Sequence, residues 1–158
     1  MRASEQAAAI VTAVERSGEK LVLKIRGKKY LRFEGWQTIA RFNRATPVTE
    51  WTTLIEEDGV PIAYEARVVL KSLDTMEVIA AAEAMCGFTD KAARGQKDII
   101  GKRNAARSMA QTRAAGKAMR MAFSYVIALA GFQGSTAEEM EDFEEDDEGR
   151  RKSSIIVS

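Results

Sequence analysis

The sequence contains no histidine and one cysteine, Cys86. Without histidine, the imidazole base of Ser-His-Asp and Cys-His catalysis is missing. The usual Cys/His zinc sites cannot be assembled either. A lone thiol cannot close a disulfide within the chain, and packing as a small apolar residue is the better reading for it. Long hydrophobic runs are also missing: nothing approaches the ~20 apolar residues that a bilayer span needs. The alanine-rich N-terminal stretch is flanked by Glu5 and Glu15. It therefore reads as an amphipathic helix and not as a secretory signal. These absences lead us to expect a cytoplasmic protein (in the host cytoplasm, if virus-encoded) with no membrane partner, no cofactor, no metal and no catalytic residue.

What is present suffices for one core. Apolar residues make up 46% of the 158 positions, which favours a single domain over residues 1–135 and a tail over 136–158. The net charge of +1 hides an asymmetry. Nine acids crowd into residues 138–148, offset only by Arg150, Arg151 and Lys152. Removing these from the 24 basic and 23 acidic side chains leaves 21 and 14, a net charge of +7 on the body. A basic body points to a polyanionic partner. The acidic tail has little to bury and is expected to be disordered. It would serve solubility, compete with the polyanion, or dock a protein partner through Ile155-Ile156-Val157-Ser158, with the first two ahead of the third.

Periodicity orders the body. Residues 3–16 read as a helix ended by Gly18. Residues 21–25 alternate like a half-buried strand, and Gly27 turns the chain into a second strand over 29–33. Residues 34–43 look helical, with Pro47 as the stop. Strands follow over 48–56, 60–71 and 76–86; Asp58-Gly59 is a hairpin signal. After a polar connector at 90–96, residues 97–130 form one long helix or two. Strands followed by helices indicate an α+β fold: an antiparallel β-meander with a long basic helix on one face.

That helix carries the clearest functional signal. Nine basic residues lie between Lys91 and Arg120, with Asp98 the one acid among them. At ~100° per residue, Lys102, Arg103, Arg107, Arg113, Lys117 and Arg120 fall within about 140° of arc. Ala105, Ser108, Thr112, Ala115, Met119, Phe123 and Val126 take the opposite side, the expected packing face. Like-charge pairs such as Arg103/Arg107 and Arg113/Lys117 cost a little stability. A polyanion rewards such clustering through counterion release; the competing reading is a solvated face paired with acids of the sheet or tail. Aromatics make up 7% of the chain, mostly on apolar faces, which suits binding that tracks a backbone better than a base-stacking sheet. Glu65 and Glu83 are a possible cross-strand metal pair, but pairing with Arg67 is the better reading.

The order of motifs is similar to that of a known family. Tyr30-Leu31-Arg32-Phe33-Glu34-Gly35-Trp36 with Ile39, Asn43 and Trp51 resembles a segment of the eukaryotic Rad-fifty-two annealing proteins. Tyr64-Glu65-Ala66-Arg67-Val68 with Asp74 resembles their central hairpin. Ala106-Arg107-Ser108-Met109-Ala110-Gln111-Thr112, with Lys117-Ala118-Met119-Arg120, resembles their basic helix. The similarity spans about residues 28–131. More distant likenesses are the phage ERF and Red-beta annealing proteins. The resemblance implies a β-β-β-α core that assembles into a homo-oligomeric ring or filament. It implies a cationic groove that holds single-stranded DNA by its phosphates and anneals complementary strands in recombination and repair without ATP; the sequence itself leaves RNA open as the strand bound. It places Lys117, Arg107 and Arg120 at basic positions of the DNA site. Two positions depart: Gln37 and Gly116 stand where the family has basic residues, and Arg41, one turn after Gln37, is the candidate replacement. A coating protein that does not anneal, and a structural oligomer whose basic helix binds an acidic protein, are the alternatives.

Overall fold

The computed structural model describes residues 1–17 and 20–141. Its elements are α1 (Ala3–Ser17), β1 (Val22–Ile25), β2 (Lys28–Leu31), α2 (Phe33–Phe42), β3 (Ala45–Glu57), β4 (Val60–Ser72), β5 (Val78–Gly87), α3 (Lys91–Arg94) and α4 (Ile99–Leu129). All strand pairing is antiparallel, in a β1-β2 hairpin and a β3-β4-β5 meander. The fold is α+β.

Turn chemistry sets the hairpins. Asp58 and Gly59 both have positive φ, 50° and 77°, the backbone of a two-residue turn whose twist matches its strands. Arg26 and Gly27 do the same between β1 and β2, at 52° and 79°. Pro47 does not stop α2. The helix ends at Asn43, whose side chain donates to the Ile39 carbonyl at 2.9 Å, and Arg44 then reverses the chain at φ 50°. Pro47 sits inside β3 opposite Leu70, tolerated because β3 is an edge strand. The third meander strand starts at Val78, later than expected, because Met76 takes the left-handed conformation at φ 60°. The connector at 90–96 contains the short helix α3.

The long helix is single. Asp98 caps it, accepting the Gly101 N–H at 2.7 Å, and 31 residues follow, about 46 Å at ~1.5 Å per residue. Its two halves bury different sides. In the first half Ala106, Ala110 and Ala114 are fully buried against Ala66, Val68, Ala84 and Cys86 of the sheet. In the second half Met119, Phe123, Val126 and Ile127 pack with Ile10, Leu31, Trp36 and Ile39. Alanine on both surfaces lets helix and sheet approach closely. At Gly35, a Cβ would lie 2.5 Å from the Leu31 side chain, so only glycine admits that contact between α2 and β2.

The expected packing face of α4 is thus half right. Ala115, Met119, Phe123 and Val126 are buried, but Ser108 is exposed and Ala105 and Thr112 are half-buried. The alanines that face the sheet lie inside the arc of the basic residues, so the first half of the helix turns its cationic side toward the sheet. The expected end of helix α1 at Gly18 lies outside the described residues. So does most of the acidic tail, from 142 onward. Residues 137–141, expected in that tail, form a helical turn against the body, with Ala137 fully buried beside Ile25 and Tyr30. Among the described residues, no helix is long and apolar enough to cross a membrane.

Candidate nucleic-acid interface

Because an alanine stripe lies on the sheet, the flanking basic side chains reach past it on both sides. Toward β3, Arg107 Nε donates to Thr52 Oγ1 at 3.2 Å and Gln111 Nε2 donates to Thr49 Oγ1 at 3.2 Å. Arg103, one turn earlier on the helix, is exposed. Toward β5, Arg113 Nη1 donates to the Met85 carbonyl at 3.0 Å and Lys117 Nζ to the Glu83 carbonyl at 3.3 Å. β5 is an edge strand, and these two cations occupy carbonyls that an edge leaves unpaired.

The six predicted residues of α4 therefore do not form one surface. Arg113 is the clearest correction. It is 9% exposed and ion-paired with Asp90 Oδ2 at 2.9 Å, which makes it a strut between α4 and the β5–α3 corner. Burial raises the Asp90 carboxyl, but the Arg113 hydrogen bond, the Gly87 N–H and the Arg113 charge outweigh this and hold it below the ordinary carboxylate value. Arg120 is bound as well, with Nε 2.8 Å from Glu139 Oε1. Arg41 is exposed in the last turn of α2, on a different element from the rest.

The remaining four differ from these in their pairing. Arg32, Arg44, Arg67, Arg113 and Arg120 all have carboxylate partners. Lys102, Arg103, Arg107 and Lys117 have none among the described residues. Lys91, Arg94 and Lys97 stand exposed just before them. An open groove of about 370 Å³ runs on the β3 side of α4, between α4, β3 and the start of α2, lined by Phe33, Pro47, Thr49, Val68, Gln111 and Thr112 among others. Its walls are uncharged, half apolar and half hydrogen-bonding, with Arg107 one turn from Gln111.

Other predicted sites resolve simply. Cys86 is fully buried. Glu83 pairs with Arg67 at 3.0 Å, and Glu50 shares the same guanidinium at 3.5 Å. Glu65 takes no part in that pairing. Among the described residues no cluster of three potential metal ligands exists. Sequence reasoning missed Arg32, which pairs with Glu141 at 3.2 Å; its partner lies 109 positions away, and no local signal links them.

No protein-family model matches the chain, and no curated protein matches it.

Proposed function

We propose that this protein binds single-stranded nucleic acid along its phosphate backbone and, as a cytoplasmic homo-oligomer, anneals complementary DNA strands in recombination and repair without ATP. One observation carries the reading. Among the described residues Lys102, Arg103, Arg107 and Lys117 have no carboxylate partner, whereas Arg113 and Arg120 of the same helix are ion-paired. A row of like charges favours a polyanion, since each phosphate neutralised releases condensed counterions. Contacts to phosphate leave base edges free to find a complement. The ordered likeness to Rad-fifty-two annealing proteins supports the annealing step.

Oligomerisation has its own support. Met121, Tyr125 and Leu129 recur along one side of α4 and are 59%, 52% and 62% exposed. The helix-free face of the meander exposes Val48, Trp51 and Met85. The aligned apolar side of α4 is the better candidate for an interaction surface, since on the meander Glu65, Arg67 and Glu83 lie between the exposed apolar side chains.

The test is a titration of labelled single-stranded and duplex oligonucleotides at several salt concentrations, followed by addition of the complementary strand. Salt-dependent binding to single strands with accelerated pairing is the expected result. Binding without acceleration identifies a coating protein. No binding at low salt rejects the proposal and assigns the basic row to an acidic protein.

A further inference from the structure

The start of the acidic segment is built into the body. Gln133 N–H donates to the Lys29 carbonyl at 2.9 Å, and Thr136 Oγ1 then caps the turn at 137–141 by accepting the Glu139 N–H at 3.2 Å. Thr136 is fully buried, seated over Gly116. A Cβ at Gly116 would lie 3.1 Å from Thr136 Cγ2, so the bare backbone there makes the seat. From this turn three carboxylates point inward. Glu138 Oε1 accepts the Phe33 N–H, in the first turn of α2, at 2.9 Å. Glu139 Oε1 accepts from Arg120 Nε at 2.8 Å, and Glu141 Oε1 from Arg32 Nη1 at 3.2 Å.

Acids that serve only solubility stay in water, because burying a carboxylate costs free energy unless its oxygens are satisfied. Here Glu138 is 9% exposed, and its second oxygen is buried without a hydrogen-bond partner. The donors it shares with its neighbours are two guanidinium groups and a helix N-terminal amide, the groups that hold phosphate elsewhere. Arg120 lies one turn beyond Lys117 on α4, so the acidic turn binds the helix one turn from a cation that has no carboxylate partner among the described residues.

The geometry points to an autoinhibitory latch: the turn at 137–141 is a self-carried substitute for nucleic-acid phosphate, and a bound single strand displaces it to reach Arg120 and Arg32. This inference rests on the nucleic-acid reading above and names its regulation. Further acids follow from Asp142 to Glu148 in the sequence, and the latch makes a specific claim that they do not share: charge at 139 and 141 opposes binding more than the same charge further on.

Full-length Glu139→Gln/Glu141→Gln is compared with full-length Glu144→Gln/Glu145→Gln, using a fluorescein-labelled oligothymidylate and anisotropy at one moderate salt concentration. Both variants lose two negative charges. The latch variant is expected to bind about tenfold tighter than wild type, within the ~5–150-fold range of typical coupling between sites, and the control less than about twofold tighter. On the wild-type protein, adding the oligonucleotide is expected to speed hydrogen exchange at the Phe33 and Glu139 amides, which the closed turn protects. Equal gains in the two variants reduce the effect to net charge and overturn the latch. Binding with no gain, or with unchanged exchange, overturns the latch alone and leaves the nucleic-acid reading standing. No binding by any of the three proteins removes both.

Discussion

Arg113 Nη1 lies 2.9 Å from Asp90 Oδ2 and also donates to the Met85 carbonyl at 3.0 Å. One guanidinium thereby ties the middle of α4 to the edge of β5 and to the corner before α3. Breaking a largely buried pair leaves an uncompensated charge and an unsatisfied carbonyl. Arg113→Gln is expected to lower stability by about 2–3 kcal/mol, measured by urea unfolding. A variant of wild-type stability with weakened nucleic-acid binding would return Arg113 to the binding surface.

The same pair sets one side of a pH profile. Asp90 titrates below its ordinary value of 3.8. Its stabilising contribution is therefore present above 3.8 and lost as pH falls through the lower folded value. Glu138 behaves in the opposite sense. Burial, which outweighs the Phe33 N–H, raises its carboxyl above 4.5, and the charges of Glu141 and Glu34 add to the rise. Its contribution is fully present below 4.5 and lost as pH rises through the folded value. Stability should thus increase as pH falls from neutrality toward 4.5 and decrease below 3.8. Glu138→Gln should abolish the first limb and leave the second, as read by melting temperature against pH.

Ala106, Ala110 and Ala114 are completely buried between helix and sheet. A larger side chain there must push α4 off β4 and β5. Ala110→Leu is expected to destabilise the fold by about 1–3 kcal/mol, the usual cost of overpacking, and Ser108→Leu on the exposed side by less than about 0.5 kcal/mol. Denaturant midpoints of the two variants check this. Equal effects would mean that the helix is not seated on its alanine stripe.

Much of this fold is legible in the sequence because its signals are local. Asp58-Gly59 demands positive φ at both positions, and 97–137 holds neither proline nor acid after Asp98. The side of α4 that packs is harder to read. Met119, Phe123 and Val126 dominate any apolar average over the helix, and alanine carries little weight in it. The first half nevertheless buries alanines on the opposite side, because its partner is a sheet lined by Ala66, Ala84 and Cys86. Whether a basic residue on such a helix is free depends on distant acids. Arg113 meets Asp90 23 positions earlier, and Arg120 meets Glu139 19 positions later. Neither spacing has helical periodicity, so a wheel treats all six cations alike.

The division of those cations gives the most direct test of the binding surface. Arg103 and Arg107 are exposed on α4, and among the described residues the Arg107 side chain makes one hydrogen bond, to the Thr52 hydroxyl on the β3 flank. Among the described residues their removal breaks no ion pair, and both lie at the exposed surface. Arg103→Ala/Arg107→Ala should therefore change stability by less than about 0.5 kcal/mol, since surface positions contribute little. Phosphate contacts carry no sequence information. The loss of affinity should accordingly be the same for oligonucleotides of different sequence. Each phosphate neutralised on a single strand adds ~0.7 to the slope of log affinity against log salt. Losing both arginines should flatten that slope by about 1.4. Lys117→Ala adds a further test, because Lys117 also holds the Glu83 carbonyl at the β5 edge; it should weaken both stability and binding. An unchanged salt slope in the arginine double variant, at wild-type stability, would exclude this flank of α4 from the interface.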